Sequence, residues 1–241
     1  MQIPYLPPND YRFPNAARLA AEYDGLVGVS GDLDVGRLLS AYRQGIFPWF
    51  SENGLYYWFT TDPRTILLPE KLHIGRSLAK ALRNKNYRVT VNTCFSDVVA
   101  ACSEVPRPGQ DGTWITPDFQ TAYGRLHRLG HAHSFECRLP DEAGEWRLAG
   151  GFYGVLLGQV FFGESMFSFV PDASKCAFVR FVRAFGACGG KLIDSQVYTD
   201  HIARFGGKNI SRDAFLRLEK SYLHTPLQAN LKEAYILNAR L

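Results

Sequence analysis

Three polar side chains in otherwise apolar stretches are the first candidates for chemistry in this sequence. Glu164 lies in FFGESMFS (161–168). Strand alternation would put its side chain on one face together with Phe162 and Met166. A buried carboxylate without a partner is costly, because water no longer solvates its charge. Glu164 therefore either pairs with an arginine at a sheet end or awaits the cationic group of a substrate.

The short stretch LIDSQV (192–197) carries the other two polar candidates, Asp194 and Gln196. Strand alternation predicts that both side chains project from the same face of an otherwise apolar strand. Such a pair could hold an amine or a carbonyl group by hydrogen bonds, or relay a proton through the side-chain network. The alternative is a polar strand end without a chemical role, and the stretch by itself leaves both open.

A run of basic residues could bind a polyanion. In IGRSLAKALRN the spacing i, i+4, i+7 puts three cations on one face of a predicted helix, and two more follow directly. A solvated basic face and a tract that contacts a phosphate backbone both fit this pattern. The residues are Arg76, Lys80, Arg83, Lys85 and Arg88.

Aromatic residues are dense before residue 63, and one more tryptophan follows at position 114. Packing in a core or an interface is the ordinary role of such residues, whereas exposed ones could stack on a nucleobase. The candidates are Trp49, Tyr56, Tyr57, Trp58 and Trp114.

Composition limits the class of protein. The chain has 241 residues, of which 46% are hydrophobic and 21% charged, which is typical of a soluble globular protein. No apolar run approaches the roughly 20 residues needed to cross a bilayer, and the N-terminus has prolines where a signal peptide has an apolar core. The sequence therefore predicts a cytoplasmic protein. Residues 1–62 carry a net charge of −3 and residues 63–241 one of +7, which favours a polyanionic partner for the basic part.

No metal or cofactor is expected. The five cysteines contain no CxxC pair, so neither a disulfide framework nor a thiolate zinc site is indicated. His131 and His133 form one metal-like pair, but the sequence offers no obvious third ligand.

The elements that must position the candidates suggest a fold. A helix is predicted over Val35–Arg43, with Asp34 as its N-cap, in a small N-terminal domain of residues 1–62. Residues 63–241 alternate strands with helices around one hairpin that turns at Leu157–Gly158. The fold class is therefore α/β (α+β), and the order hairpin, helix, strand, helix resembles the latter half of the GNAT (acyl-CoA N-acyltransferase-like) fold. The strands predicted are 64–69, 87–92, 132–139 and 191–197, and the helices are 74–84, 96–105 with Ser96 as cap, 116–130 with Thr116 as cap, 173–190 and two near 210.

Taken together, several stretches resemble one family, the bacterial leucyl/phenylalanyl-tRNA–protein transferases. The resemblance covers about residues 25–215 and implies a small N-terminal domain on a GNAT-like catalytic domain. It also implies a monomeric cytosolic enzyme of the N-degron (N-end rule) protein-degradation pathway, without cofactor. Such an enzyme transfers Leu, Phe and less efficiently Met from aminoacyl-tRNA to proteins with N-terminal Arg or Lys. The matching stretches are GDLDVGRLLSAYRQGIFPWFS (31–51), DPR (62–64), LHIGRSL (72–78), GTWIT (112–116), HRLGHAHSFE (127–136), GGFYGV (150–155), GESMFS (163–168), ASK (173–175) and GGKLIDSQV (189–197).

The resemblance also implies a role for each candidate. Asp194 and Gln196 would lie at the reaction centre, where Asp194 orients Gln196 and balances the incoming cationic amine, and Gln196 contacts that amine or the reacting carbonyl. Glu164 would meet the α-ammonium group of the aminoacyl donor. Trp49 and Trp114 would hold the terminal adenosine, and the basic residues named above would contact acceptor-stem phosphates. The pocket for the donor side chain would comprise Phe152, Phe161, Gly163, Met166, Phe181, Ala187 and Ile193.

The sequence departs from the family pattern at two pocket positions. Many relatives have Met where this chain has Phe152, and a small hydroxyl residue is common near Ala187. A bulkier residue at position 152 would trim the pocket and shift the preference between Leu and Phe.

Two rival functions remain. A CoA-dependent GNAT N-acetyltransferase fits the element order, but the pyrophosphate-binding pattern [RQ]xxGx[GA] does not occur, and RAFGAC (183–188) comes nearest. A non-catalytic tRNA-binding module fits the basic residues and tryptophans, but it leaves Glu164, Asp194 and Gln196 without a role.

Overall fold

A small sheet precedes the main body. The computed structural model describes residues 3–84, 86–105 and 112–237. In this part of the chain, one sheet has the strand order β1-β2-β4-β3 and is flanked by α1 and α2. Asn53 and Gly54 both have positive φ and join β3 to β4, as in a type I′ hairpin turn. The bounds are β1 Tyr5–Leu6, α1 Ala16–Glu22, β2 Leu26–Ser30, α2 Val35–Tyr42, β3 Phe47–Glu52 and β4 Leu55–Phe59.

The main body is a mixed sheet with the strand order β11-β5-β10-β9-β8-β7-β6. The long β8–β9 hairpin is followed by helix α6, which crosses over to β10, and β10 then runs parallel to β9. This is the predicted order of hairpin, helix and strand, so the α/β fold class is confirmed. The strands are β5 Arg64–Leu67, β6 Arg88–Val91, β7 Ala132–Pro140, β8 Trp146–Leu157, β9 Val160–Ser168, β10 Leu192–Asp194 and β11 Lys208–Ile210.

Helices cover both faces of this sheet. Helix α4 begins at Phe95 with Cys94 as its N-cap residue, so the predicted cap at Ser96 was wrong. Phe95 is the first residue of this helix, and its buried ring stacks on the ring of His127, with the ring centroids 4.2 Å apart. The helices are α3 Arg76–Asn84, α4 Phe95–Glu104, α5 Pro117–Arg128, α6 Ala173–Ala187, α7 Asp200–Arg204, α8 Arg212–Tyr222 and α9 Leu231–Leu237. Among the described helices, none has the length and apolarity of a bilayer-spanning segment.

Two hydrophobic cores lie on opposite faces of the main sheet, because strand neighbours such as Phe161 and Phe162 belong to different cores. The first core contains Phe162 and also Trp58 of the small sheet, so the two sheets share it. The second core contains Phe161 and is covered by α6 and α9. Tyr235 of α9 is fully buried there, which gives the C-terminal extension a packing role. The domain boundary at residue 62 stays a prediction.

A β-bulge in β9 changes which side chains share a face. Tyr153 pairs with Ser165 and Gly154 with Gly163, so Glu164 is an extra residue without a partner on β8. The alternation therefore reverses after Glu164, and Met166 packs against the second core whereas Phe162 lies in the first. The predicted common face of Phe162 and Met166 was wrong for this reason.

Candidate active site

A cavity of about 700 Å³ opens where β9 and β10 stop pairing. The two strands pair only over Val160–Phe162 and Leu192–Asp194, and the residues that follow each segment line the cavity. Its walls include members of both cores, such as Phe167 of the first and Phe178 of the second. The cavity therefore joins the two faces of the sheet at the point inside it where β9 and β10 separate.

Asp194 lies at the end of β10 in a fully buried ion pair that the sequence analysis did not foresee. The Arg64 guanidinium donates through Nε to Oδ1 at 2.8 Å and through Nη2 to Oδ2 at 2.7 Å. Its Nη1 donates to the Gly45 carbonyl at 3.0 Å, and its plane lies over the rings of Phe47 and Phe215. The charge of Asp194 is thus already balanced by Arg64 and is not left for the amine of a substrate.

Gln196 is held through its backbone. Strand β10 ends at Asp194, and Gln196 has a φ of 55°, so strand alternation does not relate the two side chains and that prediction was wrong. Asp194 Oδ1 accepts from the Gln196 N–H at 3.0 Å, and the Gln196 carbonyl accepts from Thr61 Oγ1 at 3.0 Å and from the Thr65 N–H at 3.2 Å. Gln196 lines the cavity.

Glu164 meets two tyrosines rather than an arginine. Tyr42 Oη lies at hydrogen-bond distance from Oε1, at 2.6 Å, and Tyr123 Oη from Oε2, at 2.7 Å. Burial raises the pKa of Glu164 to about 7, although the hydrogen bonds from both tyrosines lower it. Glu164 also lines the cavity, so a bound molecule can reach this residue.

The apolar part of the cavity matches most of the predicted side-chain pocket. Its lining includes Phe152, Phe161, Gly163, Met166 and Ile193. Two further residues, Phe178 and Ile202, line it as well and were missed.

The other two predicted pocket residues do not line the cavity. Phe181 lies behind the wall, with its ring 4.4 Å from that of Phe161. Ala187 is exposed at the C-terminal end of α6, so its assignment to the pocket was wrong. A helix turns by about 100° per residue, which puts position 187 roughly 240° around α6 from Phe181.

The predicted tRNA-binding residues fall into two groups. Trp49 and Trp114 both line the cavity, and Trp49 is 36% exposed. The cations of α3, Arg76, Lys80 and Arg83, are exposed outside the cavity. Arg88 is exposed at the start of β6 with its guanidinium over the Trp146 ring, and Lys85 lies outside the described residues.

No metal centre is apparent in the described ranges, since they hold no group of three or more His, Cys, Asp or Glu side chains placed to bind an ion. His133 lies next to Asn92 instead, with Nδ1 3.0 Å from the Asn92 amide nitrogen.

A second buried carboxyl group lies near the Arg64–Asp194 ion pair. Glu219 of α8 is 2% exposed, and its Oε1 has no hydrogen-bond partner among the described residues. Burial raises its pKa to about 8, as does the nearby charge of Asp194, while Arg64 and the Gly45 N–H lower it.

We expect Glu219 to weaken the fold as pH rises. A carboxyl group whose pKa is raised on folding stabilises the native state fully below its unfolded pKa of about 4.3 and loses this contribution as pH rises. Since the folded pKa of Glu219 is about 8, this contribution to stability is lost progressively from the unfolded pKa up to the folded one. Glu219→Gln should therefore gain stability relative to wild type between about pH 5 and pH 8.5, by on the order of 3 kcal/mol. Urea denaturation at both pH values measures the free energy of unfolding of the two proteins. An equal loss of stability between the two pH values in wild type and in Glu219→Gln would contradict the prediction.

Sequence reasoning missed the residues that hold the candidates in place. Tyr42 and Tyr123 resemble ordinary buried helix residues and lie 122 and 41 positions from Glu164. Arg64 carried a weak signal, since a cation that opens the apolar strand RTIL must find a partner or remain exposed. Asp172 and Lys175, which form an ion pair at 2.8 Å in the cavity wall, carried none.

Comparison with known proteins bears directly on this site. A model of the leucyl/phenylalanyl-tRNA protein transferase family matches residues 66–220, and one of its N-terminal domain matches residues 31–62. The leucyl/phenylalanyl-tRNA–protein transferase of Neisseria meningitidis serogroup C (strain 053442) is 60% identical over 208 residues, 86% of each chain. That of Chromobacterium violaceum is 47% identical over 224 residues, 93% of each chain. Among solved structures, FemX aligns at 12% identity with a TM-score of 0.48, covering 90% of this chain and 82% of FemX.

The two matched ranges include the residues that line the cavity. The resemblance drawn from the sequence is thereby confirmed. The chain belongs to the leucyl/phenylalanyl-tRNA protein transferase family.

Proposed function

We propose that this protein transfers Leu, Phe and less efficiently Met from aminoacyl-tRNA to the N-terminal Arg or Lys of acceptor proteins. The observation that carries the proposal is a single cavity that holds all the groups this reaction needs. An apolar pocket, two tryptophans, Glu164 and the Asp194–Gln196 loop share its walls. The product would enter the N-end rule pathway of protein degradation, in the cytoplasm, and the enzyme would act as a monomer.

The chemistry needs no covalent nucleophile, because the ester of aminoacyl-tRNA is already activated. The acceptor α-amine attacks the ester carbonyl, a C–N bond forms, and the C–O bond to the ribose breaks. The ribose oxygen leaves with a proton, and the amine loses one. The enzyme must then hold ester and amine together, and stabilise the charge that develops on the carbonyl oxygen.

The geometry supports one role for each candidate residue. The Gln196 backbone is held by its hydrogen bonds to Asp194 and Thr61, and the side-chain amide would donate to the carbonyl oxygen or accept from the attacking amine. Asp194 holds that loop, and Glu164 meets the donor's α-ammonium group. The apolar pocket takes the donor side chain, and Trp49 and Trp114 stack on the terminal adenosine.

A transfer assay tests the proposal. Radiolabelled Leu-tRNA is incubated with the protein and with a polypeptide that begins with Arg, and a matched polypeptide that begins with Gly serves as control. We expect label on the first acceptor only. Failure of transfer to the Arg acceptor would refute the proposed function, and equal labelling of both would refute the acceptor specificity. Titration calorimetry with acetyl-CoA addresses the rival N-acetyltransferase, and we expect no binding.

We expect the exposed cations of α3 to contribute to tRNA affinity without selecting a sequence, because phosphate contacts are blind to the bases. Arg76→Glu with Lys80→Glu should weaken aminoacyl-tRNA binding and reduce the slope of log affinity against log salt by about two units. Filter binding over a range of salt concentrations measures both. Reversal of Arg147 and Lys220 instead provides a control of equal charge change outside α3 and the cavity. An unaltered affinity and slope in the α3 variant would remove this helix from the tRNA site.

Phe152 is expected to influence the choice of donor. Its ring lines the apolar pocket and contacts the ring of Phe161 at 6.0 Å, so a large part of the pocket's shape depends on it. Phe152→Met replaces a rigid ring with a flexible chain and should raise transfer from Phe-tRNA relative to Leu-tRNA by about threefold to tenfold, the range expected for small changes in an apolar pocket. Competition between the two charged tRNAs measures the ratio, and an unchanged ratio would contradict the prediction.

A further inference from the structure

Four oxygen atoms, two of Glu164 and one each of Tyr42 and Tyr123, form a closed ring with three short contacts. Tyr42 Oη lies 2.6 Å from Glu164 Oε1, and Tyr123 Oη lies 2.7 Å from Glu164 Oε2. The two tyrosine oxygens are also 2.6 Å from each other. All three distances are those of O–H···O hydrogen bonds, and each such bond needs one hydrogen between its two oxygens.

Counting hydrogens decides the charge of the ring. If Glu164 is ionised, the two hydroxyl groups supply two hydrogens for the three contacts. One pair of oxygens would then face each other through lone pairs, whichever way the hydroxyl groups turn. If Glu164 is a carboxylic acid, it supplies the third hydrogen, and every contact in the ring is a complete hydrogen bond.

The surroundings agree with the neutral form. The groups that face the ring from outside are Tyr153 of β8, Asp194 of β10 and Arg64 of β5. Arg64 is the one cation among these three groups, and it is already engaged in its two bonds to Asp194. Burial raises the pKa of Glu164 to about 7, in the same direction as the hydrogen count.

We propose that Glu164 carries a proton, shared in a ring with Tyr42 and Tyr123, while the cavity is empty, and that the donor's α-ammonium group displaces this proton on binding. The second half rests on the proposed function. On binding, the O–H bond of the Glu164 carboxyl group breaks, the proton passes to solvent, and the carboxylate pairs with the ammonium group. If the donor arrives as a neutral amine, the same proton moves to its nitrogen and gives the same ion pair.

The ring therefore selects donors with a free α-amine. An N-acylated aminoacyl group carries no charge and cannot accept the proton, so it leaves the ring neutral. Tyr42 and Tyr123 act as positioning residues here, since both hydroxyl groups fix the carboxyl group toward the cavity and remain hydrogen-bonded to the carboxylate after the proton has left.

Infrared spectroscopy tests, without any substrate, whether Glu164 carries a proton in the unliganded protein. At pH 6 wild type should show the C=O stretch of a protonated carboxylic acid that is lost in Glu164→Gln and in wild type at about pH 8.5. Glu219 is also a buried acid with a raised pKa, so it contributes a C=O band of its own. Glu219→Gln is therefore the matched control, because it identifies this band and separates it from the band of Glu164. Absence of a band specific to Glu164 at pH 6 would overturn the proposal, whether or not donors bind.

Titration calorimetry tests whether the donor's α-ammonium group displaces the proton of Glu164 on binding. The ligand is 3′-leucylamido-adenosine, a stable amide analogue of the aminoacyl end, and its N-acetyl derivative is the control. At pH 6, in two buffers of different ionisation enthalpy, we expect close to one proton released per analogue bound to wild type. None should be released with the N-acetyl derivative or with Glu164→Gln, which should also bind the analogue roughly tenfold more weakly.

The outcomes separate the two proposals. Affinity for the analogue should rise about tenfold from pH 5.5 to pH 6.5 in wild type and stay constant in Glu164→Gln. Binding to wild type without proton release would overturn the role of the ring in donor recognition. If the analogue does not bind wild type at all, the proposed function fails at its donor site and the ligand half of the proposal fails with it, while the infrared band decides the protonation of Glu164 by itself.

Discussion

Replacing Gln196 by asparagine should abolish most of the transfer activity and leave the fold intact. The Gln196 backbone carries the contacts that hold the loop, through Asp194, Thr61 and Thr65, and asparagine keeps them. Asparagine also tolerates the left-handed φ of 55° at least as well as glutamine does. The change therefore withdraws the amide by one methylene group and alters little else.

The expected loss follows from positioning. A fixed donor aimed at a developing negative charge contributes about 10²- to 10³-fold to kcat, and an amide one bond too short cannot make that contact. We expect kcat for transfer from Leu-tRNA to fall by about this factor, with KM for the donor changed less than threefold. Single-turnover transfer measures the chemical step, and the urea midpoint checks the fold. A variant that keeps near-wild-type kcat would remove Gln196 from the reaction centre.

Sequence reasoning singled out Glu164 and Asp194 as candidates because they break a local pattern. Glu164 stands among aromatic residues, and Asp194 follows an apolar strand, so each demands a partner. The structure supplies those partners from distant parts of the chain, which no local pattern could identify. Arg64 lies 130 positions before Asp194, and Tyr42 lies 122 before Glu164.

The errors about which side chains share a face came from applying strand alternation beyond the regular part of a strand. Alternation fails at Glu164 because of the bulge, and it fails at Gln196 because the strand stops at Asp194. A signal for the bulge was present, since glycines inside strands often mark one. Gly154 and Gly163 flank it, and a Cβ on Gly154 would lie 2.2 Å from the Phe162 carbonyl oxygen. The elements themselves were easier to predict, because long alternating or helical patterns span many residues.

The second large effect is expected at Arg64. Arg64→Met removes one partner of a fully buried ion pair and leaves the Asp194 carboxylate without its counter-ion. Loss of one partner in such a pair costs about 3–5 kcal/mol, because the remaining charge is buried and uncompensated. The Gly45 carbonyl also loses its donor, and the rings of Phe47 and Phe215 lose the guanidinium between them. Urea denaturation should show this loss, and transfer should fall as well.

A control pair distinguishes a general loss of stability from a loss of the site. Arg37 and Asp32 form a similar bidentate pair, with both bonds at 2.8 Å and Arg37 fully buried, and neither residue lines the cavity. Arg37→Met should destabilise the protein by a comparable amount, while transfer per folded molecule stays near wild type. Equal activity of the two variants per folded molecule would mean that Arg64 supports only the fold.

A double variant then separates the charge of Asp194 from its position. Arg64→Met with Asp194→Leu replaces the whole ion pair by apolar side chains, and such exchanges are often close to neutral for stability. We expect it to recover at least half of the stability lost in Arg64→Met. Transfer should not recover, because leucine offers no acceptor to the Gln196 N–H that Asp194 Oδ1 now holds. The pair would then serve the reaction by fixing the Gln196 loop, a role that an equally stable apolar pair cannot fill. Recovery of transfer together with stability would show instead that the pair is needed only for packing.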